Sequence, residues 1–322
     1  MLNAKISGIA SYLPDYVLTN DELSRMVDTN DEWITTRVGI KERRILKKEV
    51  GSSYMGIQAV KKLLEETGTN PDDVDLLICA TSNPDYRFPS TASVIAHGCG
   101  LEKKCYACDI QAACAGFIVA SFDANAYIKS GLYKKVIVVC AEKMSSMVNY
   151  EDRATCPLFG DGAAAVLMEP TEEPVGFVDG VFHVDGSGLE HLVYKAGGSA
   201  HPTTHETVDA KENCLYQEGR AVYKSAVMDM FNSSKEVMER NNLKIEDVKW
   251  FVPHQANLRI IEAVGSRLGL SEEQVLVNIQ KVGNTSAASI PICLDHNKGK
   301  LKKGDKIVPT AFGAGFTGGA AY

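Results

Sequence analysis

The sequence predicts an α/β fold written twice, two copies of a strand-and-helix unit packed about a pseudo-dyad. The first observation behind this is an ordered set of similar segments at nearly constant spacing. Pro71-Asp72-Asp73-Val74-Asp75-Leu76-Leu77-Ile78 resembles Ile245-Glu246-Asp247-Val248-Lys249-Trp250-Phe251-Val252, with Leu77 and Phe251 174 residues apart. Asp109-Ile110-Gln111 followed by Cys114 resembles Asn278-Ile279-Gln280 followed by Asn284, 169 apart at Ile110 and Ile279, and Val136 recurs 171 residues later at Ile307. The second observation is that each copy alternates short β-branched runs with amphipathic stretches, the pattern of largely parallel strands covered by helices. The third is that Gly68, Gly131 and Gly269 sit where those helices should stop.

Taken along the chain, Met1 to Pro14 carries Lys5 inside its apolar stretch and has no basic flank before a long apolar core, so it does not read as a secretory leader. Met55 to Thr67 has helical periodicity and ends at Gly68. The acidic turn at Pro71–Asp73 feeds a buried strand. Asp109-Ile110-Gln111 is strand-like, ends in small residues, and turns into a helix that carries Cys114 at its start and runs to Gly131. A strand follows over Lys135–Val138. Pro170 and Pro174 interrupt regular structure around Thr171 to Val175, which sets the join between an N-terminal half, 1–170, and a C-terminal half, 171–322. Gly197 to Thr207 is polar and reads as a loop. Ala221 to Asn241 is helical, Trp250-Phe251-Val252 is a strand, a helix leaves the segment after His254, and Lys306-Ile307-Val308 is a late strand.

The chain has 322 residues, with 34 basic and 41 acidic side chains for a net charge of −7. That balance argues against a general nucleic-acid or membrane-surface binder, and an acidic partner needs a local basic patch. No apolar run approaches membrane-spanning length. Nine cysteines spread without a secretory signal suit free thiols in a reducing cytoplasm. Cys105-x-x-Cys108 lacks two further ligands at compatible spacing, so no metal site is expected there. Gly160-Asp161-Gly162 and the glycine cluster from Gly313 to Gly319 lack the lysine or acidic partner of a phosphate cradle and read as tight turns. The histidines other than His254 read as surface residues without metal-like pairing to nearby carboxylates.

A thiol at a helix start faces unpaired backbone N–H groups, which favours the thiolate and makes Cys114 a candidate nucleophile. Packing two copies about a dyad brings equivalent strand ends together, so Cys114 should face His254, just past a strand of the second copy, and Asn284.

The Cys114 run, Val252-Pro253-His254-Gln255-Ala256-Asn257 and Val282-Gly283-Asn284-Thr285-Ser286-Ala287-Ala288-Ser289 resemble the β-ketoacyl-acyl carrier protein synthase III family. The likeness spans nearly the whole chain and includes Asp28–Ile34, Phe159–Ala163 and Phe312–Gly318 in the family's order. It implies the thiolase-like fold, its halves layered αβαβα, and a cytoplasmic homodimeric acyltransferase that starts fatty acid synthesis. In such an enzyme Cys114 is acylated by a short acyl-CoA primer such as acetyl-CoA. Malonyl-acyl carrier protein then loses carbon dioxide and attacks the acyl group. CoA and the carrier protein are substrates, and no cofactor is implied.

His254 and Asn284 would donate to the enolate oxygen, with His254 neutral because one ring nitrogen accepts a backbone N–H. The resemblance assigns an oxyanion hole to the backbone N–H groups of Cys114 and Ala314. CoA contacts go to Trp33, stacked on adenine, with Arg37, Arg153 and Asn257. Phe159 lines the acyl pocket and Phe88 reaches across the dimer to line the partner's. Carrier docking falls to Lys224, Arg259 and Arg267. Ala314 and Gly318 depart from the family's usual glycine and tryptophan. The first tests whether the loop needs a left-handed residue, and the second is expected to widen or loosen a wall. The chain ends at Tyr322, sooner than its relatives, so a short last strand is expected. A specialised condensing enzyme with an unusual primer is the runner-up. A non-catalytic carrier-binding subunit is opposed by Cys114, and the Cys-His-Asn set differs from those of elongating synthases, thiolases and hydroxymethylglutaryl-CoA synthases.

Overall fold

The computed structural model describes residues 3–101 and 103–322, so the first two residues of the segment weighed as a leader lie outside it. The N-terminal part builds β1 (Asn3–Tyr12), β2 (Val17–Thr19), α1 (Asn20–Leu23), α2 (Asp31–Val38), β3 (Glu42–Arg44), α3 (Ser52–Thr67), β4 (Leu76–Ala80), α4 (Thr91–Gly98), β5 (Tyr106–Ile110), α5 (Gly116–Lys129), β6 (Val136–Lys143) and β7 (Asp161–Thr171). After a connector come β8 (Gly180–Val184), β9 (Leu192–Tyr194), α6 (His205–Asp209), β10 (Leu215–Gln217), α7 (Gly219–Arg240), β11 (Trp250–Pro253), α8 (Leu258–Leu268), α9 (Ile279–Val282), α10 (Ser289–His296), β12 (Ile307–Gly313) and β13 (Thr317–Ala321).

One sheet has the order β1-β7-β6-β4-β5 and the other β8-β13-β12-β11, which is the same order strand for strand. The sheets are mixed rather than largely parallel. β4 runs parallel to β5 and β6, and β11 parallel to β12, whereas the pairs involving β1, β7, β8 and β13 are antiparallel. The counterpart of β5 shrinks to a single parallel bridge between Phe251 and Val275. The run Asn278–Gln280, matched to β5 by sequence, instead opens the short helix α9. The cause is local: the Gln255 carboxamide oxygen accepts the N–H groups of Asn278 and Ile279, which holds that backbone in a helical turn.

The layers follow from which faces are apolar. Ile118, Ala124 and Ile128 of α5 and Ile290, Ile292 and Leu294 of α10 share one core with Ile78 and Val138 of the first sheet and Trp250 and Val252 of the second. These two helices are therefore sandwiched between the sheets, which is why α5 and α10 carry apolar residues on more than one side. On the outer face of the first sheet lie α3 and α4, through Met55, Val60, Leu63 and Ile95. On that of the second lie α7 and α8, through Met230, Val237, Ile260 and Val264. Each such fully buried side chain contributes roughly 1.5–3 kcal/mol. The result is an αβαβα stack. α3 and α8 end at Gly68 and Gly269, whose left-handed φ lets their N–H groups satisfy the last carbonyls. The stretch read as a loop, 197–207, closes in α6, where Thr204 caps the N–H of Thr207.

Candidate active site

Cys114 arrives by a strained turn. β5 ends at Ile110, a single 3-10 turn spans Ala113–Ala115, and α5 begins at Gly116. Ala113 takes φ +46°, a left-handed conformation uncommon for a residue with a Cβ. The second half contributes the end of β12, whose Gly313 comes so close that a Cβ there would lie 2.6 Å from the backbone nitrogen of Cys114. Among the described residues the non-glycine positive φ values fall at Ala113, Lys211, Asn242 and Ser286, so Ala314 is not left-handed; Gly315 takes that role with φ +137°. The Ala314 methyl group is thus compatible with the loop.

The expected thiolate preference is reversed in the site. Cys114 keeps some accessible surface inside the cavity, yet lies so deep that burial pushes its thiol up to about 12. The Ser286 hydroxyl and the backbone N–H of Cys114 pull it down, and the charge of Glu142 pushes it further up. Burial outweighs the helix start because a thiolate here exchanges bulk water for a few donors.

His254 follows β11 and is buried. Burial pushes its imidazole down to about 3, so the ring is neutral. Its Nδ1 partner is a side chain, not the backbone N–H expected from sequence: the Ser289 hydroxyl lies 2.6 Å away and in turn accepts the N–H of Gln255. Asn284 is clamped by its backbone, its N–H donating to Leu158 and its carbonyl accepting from Gly160. Its Oδ1 accepts the N–H of Ser286 at 2.8 Å. With the oxygen so engaged, the carboxamide's two Nδ2 hydrogens are the part left to offer.

Cys114, His254 and Asn284 line one cavity of about 1190 Å³, with Ser286 and Ala314 beside them. Phe159, Trp33, Arg37, Asn257 and Arg259 line it too. Asn30 caps α2 by accepting the N–H of Trp33 at 2.8 Å, which fixes that indole at the helix start. The guanidinium of Arg153 lies 4.7 Å from the indole centroid and that of Arg37 5.2 Å. Arg153 also pairs with Asp28 and stands outside the cavity lining. Asn257 has its Oδ1 occupied in capping α8. Lys224 and Arg267 are exposed and away from the cavity wall, and Phe88 is 87% exposed on a loop that does not line it.

Gly318 does not open a wall. It sits in β13 opposite His183 of β8, away from the cavity, and a Cβ there would collide with the Asp229 carboxylate, which pairs with His183. His191 and His201 likewise pair with Glu218 and Glu212. The fold supplies carboxylates that local spacing did not. Among the described residues, no group of three or more His, Cys, Asp or Glu side chains could hold a metal ion, and no helix is long and apolar enough to cross a membrane.

Sequence reading assigned no role to Ser286, Ser289, Gln255, Glu142, Arg43 or Arg220. The two serines lie inside a recognised run, and Arg220, on the cavity wall, is one helical turn before Lys224. Arg43 is wholly buried and, among the described residues, ion-pairs with no carboxylate, its guanidinium donating to the carbonyls of Leu18 and Pro157 and to Asn20. It packs against Gly160 and Gly283, the backbone that flanks Asn284.

A duplicated αβαβα stack with a thiol, an imidazole and a carboxamide converging from both halves defines a protein of the thiolase-fold condensing class. Family models described as 3-oxoacyl-[acyl-carrier-protein (ACP)] synthase III and its C-terminal region match residues 108–186 and 238–322. The chain is 57% identical over 322 residues to beta-ketoacyl-[acyl-carrier-protein] synthase III 2 of Bacteroides thetaiotaomicron, covering 100% of this chain and 96% of that one. It is 57% identical over 324 residues to the synthase III of Porphyromonas gingivalis, with the same coverage. The crystal structure of 3-oxoacyl-[acyl-carrier-protein] synthase III from Aquifex aeolicus superposes with a TM-score of 0.90 at 44% identity, covering 99% of this chain and 98% of that one. The chain belongs to the 3-oxoacyl-[acyl-carrier-protein] synthase III family.

Proposed function

We propose that the protein is an acyltransferase that condenses an acyl-CoA primer with malonyl-acyl carrier protein, releasing carbon dioxide and giving 3-oxoacyl-acyl carrier protein, the first condensation of fatty acid synthesis. The observation that carries this reading is the orientation of two neutral donors beside a thiol. Asn284 has its oxygen tied to Ser286 and His254 has Nδ1 tied to Ser289. With the Ser289 hydroxyl donating to Nδ1 while it accepts from Gln255, the ring proton is carried on Nε2 and faces the cavity, the tautomer this reading requires. Neutral, fixed N–H groups suit an oxygen whose charge develops only as carbon dioxide leaves.

In the first half-reaction the Cys114 sulfur attacks the thioester carbon of the primer and CoA leaves as its thiol. The tetrahedral oxyanion is received by the backbone N–H groups of Cys114 and Ala314. In the second, the bond to the malonyl carboxylate breaks, the enolate oxygen is held by His254 and Asn284, and the enolate carbon attacks the acyl-cysteine, expelling the Cys114 thiolate. Trp33 would take adenine on its indole face once Arg153 moves aside from its 4.7 Å contact, while Arg37 faces phosphate. Asn257 lies along the pantetheine arm, Phe159 bounds the acyl pocket, and Lys224, Arg259 and Arg267 offer the carrier protein a positive field.

A second copy of the chain completes the reading. β5 pairs with β4 on one side only, and its other edge carries exposed Tyr106. An unpaired edge of this kind is a template for a like strand, and Phe88 is then free to enter the partner. Incubating the protein with acetyl-CoA and weighing the intact chain tests the assignment. An acetyl adduct that disappears in Cys114→Ala is expected; labelling that persists without Cys114 would overturn it.

A further inference from the structure

Arg43 places a charge where water does not reach it. Its side chain has no accessible surface, and its Nε has no hydrogen-bond partner. An uncharged side chain of similar length, such as methionine, would fill the same space without desolvating a cation. What methionine lacks is a rigid fork of donors, and Arg43 uses that fork on three acceptors. Nη1 donates to the Leu18 carbonyl at 3.0 Å, which ties β3 to its neighbour β2. Nη2 donates to the Pro157 carbonyl at 2.9 Å and to the Asn20 carboxamide oxygen at 2.8 Å.

Pro157 opens the segment on which Asn284 rests. The N–H of Asn284 donates to Leu158 at 2.8 Å, its carbonyl accepts from Gly160 at 3.0 Å, and Phe159 and Asn284 form a parallel bridge. The residues before Asn284 are tied to the same short strand region, because the Gln280 carbonyl accepts the N–H of Lys41 at 2.9 Å. A Cβ added at Gly160 would lie 3.0 Å from the Cβ of Arg43, and one added at Gly283 3.2 Å from it. The stem of Arg43 thus lies against both backbones that frame the carboxamide, and its head holds one of them by a hydrogen bond. Asn20 extends the tie. Its Nδ2 donates at 2.8 Å to the Ile40 carbonyl and at 2.8 Å to the carboxylate of Asp31, the first residue of α2, which carries Trp33 and Arg37.

Resting on the condensing reading above, we propose that Arg43 is a positioning residue for Asn284, holding the Pro157–Gly160 segment so that the carboxamide stays aimed at the enolate oxygen. Donors to a developing charge act fully only when held within roughly 0.5 Å of the productive geometry. The groups that serve acylation are placed by other elements. Cys114 comes from the turn between β5 and α5 and Ala314 from the turn between β12 and β13, and neither receives a hydrogen bond from Arg43. Loss of the fork should therefore separate the two half-reactions.

The test compares Arg43→Met and Arg43→Lys with the unaltered protein in two assays. One is acetylation of Cys114 by saturating acetyl-CoA, read by intact mass, a primer small enough to keep clear of the Phe159 wall. The other is carbon dioxide release from malonyl-acyl carrier protein, scaled to the fraction of chains that acetylate. In Arg43→Met, kcat for carbon dioxide release is expected to fall about 10- to 100-fold with KM within about twofold, while acetylation at saturation falls less than about threefold. Arg43→Lys keeps the charge but gathers it at one point, so the same split is expected, and it carries the test should Arg43→Met fail to fold. A crystal structure of either variant should show Asn284 displaced by about 0.5 Å or more. Equal losses in the two assays, undiminished carbon dioxide release in either variant, or an Asn284 that stays in place would overturn the proposal. An unaltered protein that neither takes an acetyl group nor releases carbon dioxide would instead refute the condensing function, and the position of Asn284 in the variants would still decide whether Arg43 holds it.

Discussion

The proposed reaction gives Asn284 and His254 a different half-reaction from Cys114. In Asn284→Ala the enolate loses a donor worth roughly 3–4 kcal/mol, and carbon dioxide release from malonyl-acyl carrier protein is expected to fall ~100- to 1000-fold. Acyl-enzyme formation should fall far less, and equal losses in the two assays would count against the division. The buried histidine also has a thermodynamic signature. In the unfolded chain it titrates near 6.5 and in the fold at about 3. Between those values the unfolded state binds more protons, so stability drops as pH falls below 6.5, by up to about 1.4 kcal/mol per unit. Glu142 works the other way, because burial raises its folded value to about 7, above the ordinary 4.5, and acid stabilises the fold through that window. Removing the histidine removes one of two opposed slopes. Relative to the unaltered protein, His254→Ala should gain up to about 2 kcal/mol between pH 6.5 and pH 5 in urea denaturation. Parallel curves would mean that the ring is not held neutral.

At the scale of elements, the site depends on how closely two loops meet. Gly313→Ala puts a methyl 2.6 Å from the Cys114 nitrogen and 3.0 Å from its Cβ. The loop bearing Ala314 must then retreat, so acylation is expected to fall at least tenfold while far-ultraviolet circular dichroism stays unchanged. The pairing of β13 and β8 gives a second case. Gly318→Ala meets the Asp229 carboxylate directly, so it should lower the melting temperature, and adding Asp229→Ala should restore part of the loss. Additive losses would mean that the two positions do not touch.

These elements also show where sequence reading stopped. The Cys114, His254 and Asn284 segments were legible because each is a short run with its own chemistry, and the helix ends at Gly68 and Gly269 because a left-handed cap needs glycine. The helical start at Asn278 was not legible, since it depends on Gln255 reaching across from another loop. Glu142 was hidden at the end of an apolar strand, and its partners Thr81 and Ser82 lie about 60 residues before it in sequence. The Asp229–His183 pair was equally remote in sequence, which left Gly318 looking like a gap.

For the molecule as a whole, a net charge of −7 disfavours an acidic partner, and the exposed Lys224, Arg259 and Arg267 are the proposed local exception for a carrier protein. Reversing Lys224 and Arg259 should raise KM for malonyl-acyl carrier protein, more at low salt than at high, with acylation by acetyl-CoA nearly unchanged. A KM that ignores both changes would move the docking surface elsewhere.

The two left-handed turns, at Ala113 and Ser286, stand 173 residues apart at the same place in each copy. Counting from them, the position that answers to Cys114 is Ala287, at the mouth of α10. That alanine packs on Gly116, where even a Cβ would come within 3.0 Å of its methyl. If the copies descend from one ancestral unit, the later lineage of each can be read from this pair of residues. One kept the reactive atom and an open space in front of it; the other kept the bend and gave up the atom, filling the space with its sister's helix. An enzyme of this kind has a single nucleophile not because duplication failed to provide two, but because the second seat became part of the wall.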